Sequence, residues 1–77
     1  MRKVQVLGTG CPKCNELYRR CEQALENLDI EAVLEKVEDI NKIVEAGVML
    51  TPALVVDGVV LCSGKVPSVA ELEQLLR

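Results

Sequence analysis

The chain opens on an alternation of apolar and polar positions. Val4 and Val6 flank Gln5, and the run ends at Gly8-Thr9-Gly10, which predicts a first strand over residues 2 to 7 leaving into a tight loop. The period then changes. From Pro12 onward the apolar positions are Cys14, Leu17, Cys21, Ala24, Leu25 and Leu28, the three-and-four spacing of one helical face, so a helix of about four turns follows. Pro12 suits its first position because the ring fixes φ and the missing N–H is not needed there, which leaves Cys11 at the cap. Residues Ile30 to Val37 are short, rich in β-branched side chains and bounded by polar positions, and read as a second strand. Asp39 caps a short helix with apolar positions Ile40, Ile43 and Val44, which ends by about residue 46 because Gly47 supplies a left-handed stop. Ala53 to Val56 and Val59 to Cys62 are apolar runs joined by Asp57-Gly58, the signature of a tight antiparallel hairpin. Ser68 and Glu71 form a capping box, and Val69, Leu72, Leu75 and Leu76 give the closing helix its apolar face. The predicted order is β-α-β-α-β-β-α.

Composition narrows what such a chain does. With 77 residues it holds one domain, spanning 1–77, and its 49% apolar and 27% charged residues are a globular mixture. The formal charge of −3, basic residues scattered along the chain and Tyr18 as the lone aromatic leave neither a phosphate-binding patch nor a base-stacking platform, which argues against nucleic acid. No segment approaches the roughly 18 apolar residues of a membrane span. The apolar stretch after Met1-Arg2-Lys3 stops at Leu7, too early for a signal peptide, so a cytoplasmic protein is expected. Nothing on the chain demands a dimer, and a monomer is expected.

The chain has no His and four Cys, so imidazole chemistry is excluded and thiols carry the candidate reactivity. Cys11 and Cys14 lie three apart across a helix start, a spacing that a disulfide can bridge with little backbone movement. The exposed N–H groups at the helix start, together with Lys13, favour a thiolate at Cys11, which makes it the nucleophile. Cys14, on the apolar face, is shielded and is the resolving thiol that attacks the mixed disulfide. The same pair also forms half of a metal site, and a metal or metalloid carrier is the alternative. Cys21 is seven residues beyond Cys14, about 10 Å along the axis and out of disulfide reach, so it reads as core, as does Cys62 at the end of the fourth strand. Tyr18, one turn beyond Cys14, fits either a ring flanking the active site or an amphipathic residue half covering the core, and is assigned to neither.

Cys11-Pro12-Lys13-Cys14 after a first strand, with Thr51-Pro52 immediately before the third, resembles the thioredoxin and glutaredoxin superfamily across essentially the whole chain, in particular small prokaryotic glutaredoxin-like thioredoxins. The resemblance implies an α/β fold, a thioredoxin-like three-layer sandwich around a four-stranded mixed sheet. It implies a cis Pro52 facing the active-site disulfide and a Thr51 backbone that pairs with substrate. It implies disulfide-containing client proteins, no prosthetic group, and a flavoprotein of the thioredoxin-reductase kind as electron donor. The chain departs from the larger families in having no Trp before Cys11, as thioredoxins usually have, and no full glutathione-binding set as in glutaredoxins, which leaves the individual substrate open. Small heavy-metal-binding domains share only the cysteine loop and lack the Thr-Pro entry to a strand.

Overall fold

Four strands and three helices follow the predicted order in the computed structural model, which describes residues 2–10 and 12–77. The strands are β1 (Arg2–Leu7), β2 (Ala32–Val37), β3 (Ala53–Val56) and β4 (Val59–Ser63), and the helices are α1 (Pro12–Leu28), α2 (Ile40–Glu45) and α3 (Val69–Leu76). They form a mixed sheet in the order β2-β1-β3-β4. The β1–β2 pair is parallel and the two pairs made by β3 are antiparallel.

Alternation along the two central strands sends side chains to opposite faces, and each face has its own core. On one face Val4, Val6, Leu54 and Val56 meet Leu17, Cys21, Ala24 and Leu25 of α1 and Leu72 and Leu76 of α3. On the other, Leu7, Ala53 and Val55 meet Ile43 of α2 and Val48. The result is the expected three layers, with a heavy layer of α1 and α3 and a thin one of α2. Arg20 fastens the heavy layer: its guanidinium donates to the carbonyls of Val66 and Pro67, at 3.3 and 3.1 Å, just ahead of α3. Among the described residues no helix is long and apolar enough to cross a membrane.

Three local features depart from the sequence expectation. The second strand begins at Ala32 rather than Ile30, because α1 ends in a reverse turn that uses Ile30. The Ile30 N–H donates to the Leu25 carbonyl (3.2 Å) and the Asp29 N–H to that of Glu26 (3.1 Å), with Asp29 at φ 54°. This is the hydrogen-bond pattern that a glycine usually supports after a helix. Helix α2 buries only Ile43 of its three apolar positions, and Ile40 and Val44 are 62% and 69% exposed. Its six residues end in the same kind of turn at Gly47, where the Val48 N–H reaches the Ile43 carbonyl and both side chains enter the smaller core. In the third feature, the β3–β4 ladder slips: Val55 faces Val60 but Leu54 faces Cys62, so Leu61 is an extra, bulged residue. An unbroken ladder would set Cys62 opposite Ala53, toward α2. The bulge turns it to the face of Leu54, where it is half-buried against the larger core that contains Cys21.

Candidate functional site

The candidate chemistry gathers at one end of the sheet, where β1 runs into α1 and the chain enters β3. Helix α1 starts at Pro12, as the fixed φ of proline favours. Pro12 and Lys13 are exposed, whereas Cys14 is completely buried. The side-chain order along this first turn therefore separates a solvent-facing start from a shielded thiol. Cys11 lies outside the described residues. The helix has no acidic residue in its first turn to offset the partial positive charge of its start.

Opposite the helix start is the Thr51–Pro52 peptide bond, which is cis. Pro52 is fully buried, and its carbonyl accepts a 2.8 Å hydrogen bond from the Gly64 N–H. Thr51 before it is exposed, preceded by two exposed apolar residues, Leu50 and Met49, the latter 95% accessible. Leu50 leans on Gly64, so tightly that a methyl group there would come within 3.1 Å of its Cβ.

Cys14 and Pro52 are brought together across Gly8, the residue that follows β1. The Gly8 N–H donates to the Val37 carbonyl at 2.9 Å and so extends the β1–β2 ladder by one step. A methyl group built on Gly8 would overlap the Cys14 Sγ, and would lie 3.1 Å from the Cys14 Cβ and 3.9 Å from the Pro52 Cα. The sulfur, the end of β1 and the proline thus share one small volume.

The sequence reading places a cation at Lys13, which is exposed. A second cation reaches the same turn from β2: Lys36 Nζ donates to Asn15 Oδ1 at 2.8 Å and sits 5.2 Å from the centre of the Tyr18 ring. Neither Lys36 nor Gly8 stands out in the sequence, since one is a charge on a strand and the other a loop glycine. A lysine one residue before the end of a parallel neighbour strand, level with the helix start, is the signal that would have found it. Glu38 also approaches, with Oε2 3.7 Å from where a side chain on Gly10 would begin.

The remaining thiols sit deeper. Burial pushes the Cys21 thiol up to about 12, and the nearby Cys62 adds to the effect. Burial likewise raises Cys62, against lowering by a hydrogen bond to the Leu54 backbone and by Lys65. Both are held as neutral thiols in the core at neutral pH, which suits packing rather than nucleophilic attack. Among the described residues no group of three or more Cys, Asp or Glu is arranged to hold a metal ion.

A family model described as a thioredoxin domain matches residues 2–77. The chain is 43% identical over 74 residues to a protein named thioredoxin from Methanocaldococcus jannaschii, an alignment that covers 96% of this chain and 85% of that one. It is 38% identical over 76 residues to a thioredoxin from Methanothermobacter thermautotrophicus, with 99% of each chain covered.

Proposed function

Since the chain belongs to the thioredoxin-domain family, whose role is thiol–disulfide exchange, we propose that it reduces disulfides of client proteins through Cys11 and Cys14. The Cys11 thiolate attacks one sulfur of the client disulfide, forming a mixed disulfide and expelling the other client sulfur as a thiolate that takes up a proton. The Cys14 thiol then loses its proton and attacks Cys11 Sγ. The Cys11–Cys14 bond forms, the mixed disulfide breaks, and the client leaves with both sulfurs reduced.

The observation that carries this reading is the asymmetry of the first turn of α1. Exposed Pro12 and Lys13 precede a Cys14 that is fully shielded and lies beside Pro52. A thiol one residue ahead of this exposed start in the sequence suits attack on a large substrate, and a shielded one suits resolution after the substrate is bound. The exposed Met49, Leu50 and Thr51 offer a client chain an apolar contact surface leading to Pro52, which lies near the Cys14 sulfur. A flavoprotein reductase of the thioredoxin-reductase kind would return the disulfide to dithiol. The metal-carrier alternative is not favoured, because the likeness to thioredoxins runs over the whole chain and not over the cysteine loop alone.

The test is reduction of insulin driven by dithiothreitol. Cys11→Ser is expected to lose the catalysed rate, and Cys14→Ser to accumulate client mixed disulfides on Cys11. Equal rates for wild type and Cys11→Ser would remove Cys11 from the role of nucleophile.

A further inference from the structure

We infer that Gly8 is a positioning residue for thiol–disulfide exchange: its missing side chain is the space in which the Cys14 sulfur is held. The inference rests on the reading of Cys14 as the resolving thiol.

Four glycines of the chain have positive φ, at positions 10, 47, 58 and 64. Gly8 is not among them, so its backbone conformation is one that any residue adopts. What Gly8 provides is room. A Cβ at this position would overlap the Cys14 Sγ and press on the Cys14 Cβ at 3.1 Å, with the Pro52 backbone 3.9 Å away on a further side. The strand cannot easily retreat, because the Gly8 N–H is tied to the Val37 carbonyl. The thiol has little freedom either. Cys14 is fully buried, and in a helix one of the three staggered χ1 wells is closed by the preceding turn. A side chain at position 8 would therefore drive the sulfur out of its seat, and with it the trajectory toward Cys11.

In the exchange step, Cys14 Sγ must form a bond to Cys11 Sγ while the bond from Cys11 to the client breaks. Holding the attacking sulfur in one place raises its effective concentration toward Cys11, which favours the intramolecular disulfide over the dithiol and speeds client release.

The experiment compares wild type, Gly8→Ala, Cys14→Ala and the double variant. In wild type and Gly8→Ala the Cys11–Cys14 dithiol–disulfide equilibrium is measured against dithiothreitol. Gly8→Ala is expected to lower the equilibrium constant for disulfide formation at least tenfold, equivalent to a potential about 30 mV less negative. A purely structural glycine would leave that constant unchanged, and an unchanged constant overturns the proposal. In parallel, urea unfolding of the reduced proteins closes a double-mutant cycle. The destabilisation caused by Gly8→Ala is expected to fall by at least half once the Cys14 sulfur is absent, and equal destabilisation in both backgrounds overturns it. If Gly8→Ala does not fold while the double variant does, the overlap is upheld; if neither folds, Gly8 serves something other than the Cys14 sulfur and the proposal fails. A wild type that forms no Cys11–Cys14 disulfide would overturn the function proposed above, and with it a role for Gly8 in exchange.

Discussion

At the scale of the residue, the four cysteines divide by environment. Cys21 shows how far packing alone can suppress a thiol: it is fully buried, and its ionisation is pushed up to about 12. Linkage gives this a consequence for stability. The unfolded chain ionises its thiols from about pH 8.5, whereas the folded protein keeps Cys21 neutral, so unfolding releases a proton in between. The stabilisation is complete below pH 8.5 and is lost as pH rises toward 12. Cys62 acts in the same direction. In urea unfolding under reductant, wild type is expected to lose about 2 kcal/mol more than Cys21→Ala between pH 8 and pH 10, within the limit of about 1.4 kcal/mol per pH unit for one group. Equal losses would mean that Cys21 titrates alike in both states. The cysteine pattern was legible in the sequence as a pair three apart and two core thiols. The face to which Cys62 points was not, because the bulge at Leu61 reverses the parity of the strand.

Elements are held at their ends by side chains whose roles are local. The Ser68 Oγ accepts from the Glu71 N–H at 3.2 Å, capping α3, and its hydroxyl donates to the Glu71 carboxylate at 3.3 Å. Ser68→Ala is expected to cost about 1 kcal/mol, read as a lower urea midpoint at constant slope. In the β3–β4 turn, Asp57 and Gly58 both have positive φ, 50° and 83°, the mirror-image turn that matches strand twist. A methyl group on Gly58 would meet nothing within 4 Å, so Gly58→Ala carries a purely conformational cost, expected at about 1 kcal/mol. A neutral result would mean that the turn relaxes to another type. The same turn is fastened to β1, since the Asp57 carboxylate accepts from the Lys3 N–H and the Asp57 N–H donates to the Lys3 carbonyl, each at 2.9 Å. These signals act within a few residues, which is why hairpin and caps were readable. The start of β2 was placed two residues early because Asp29 takes the left-handed position for which glycine is the usual sign, and Ile30 is used in the turn that ends α1.

At the scale of the molecule, the site depends on α1 lying fixed across the sheet, and α3 helps to hold it there. Leu72 is completely buried among Leu17, Cys21, Val4 and Leu54, while Leu75 on the same helix is 38% exposed. Leu72→Ala is expected to cost about 2 to 5 kcal/mol and Leu75→Ala under about 1 kcal/mol. For a chain of this length the total is roughly 4 to 12 kcal/mol, so the first substitution removes a large share and the second does not. Comparable losses in urea unfolding would place α3 in a different rotation about its axis. The Arg2 guanidinium adds a bond to the Leu76 carbonyl, tying the end of α3 to the start of β1.

By itself the sequence determined the order of elements, their caps and turns, and a cysteine pair astride a helix start, because each of these is set by φ/ψ preferences and hydrogen bonds among near neighbours. Tertiary structure decided what depends on parity and close approach. It made Ile43 the buried residue of α2, turned Cys62 toward Cys21, set Lys36 against Asn15, and placed Gly8 between the Cys14 sulfur and Pro52. Those outcomes depend on how strands and helices distant in the chain pack against one another, a geometry that no local pattern encodes.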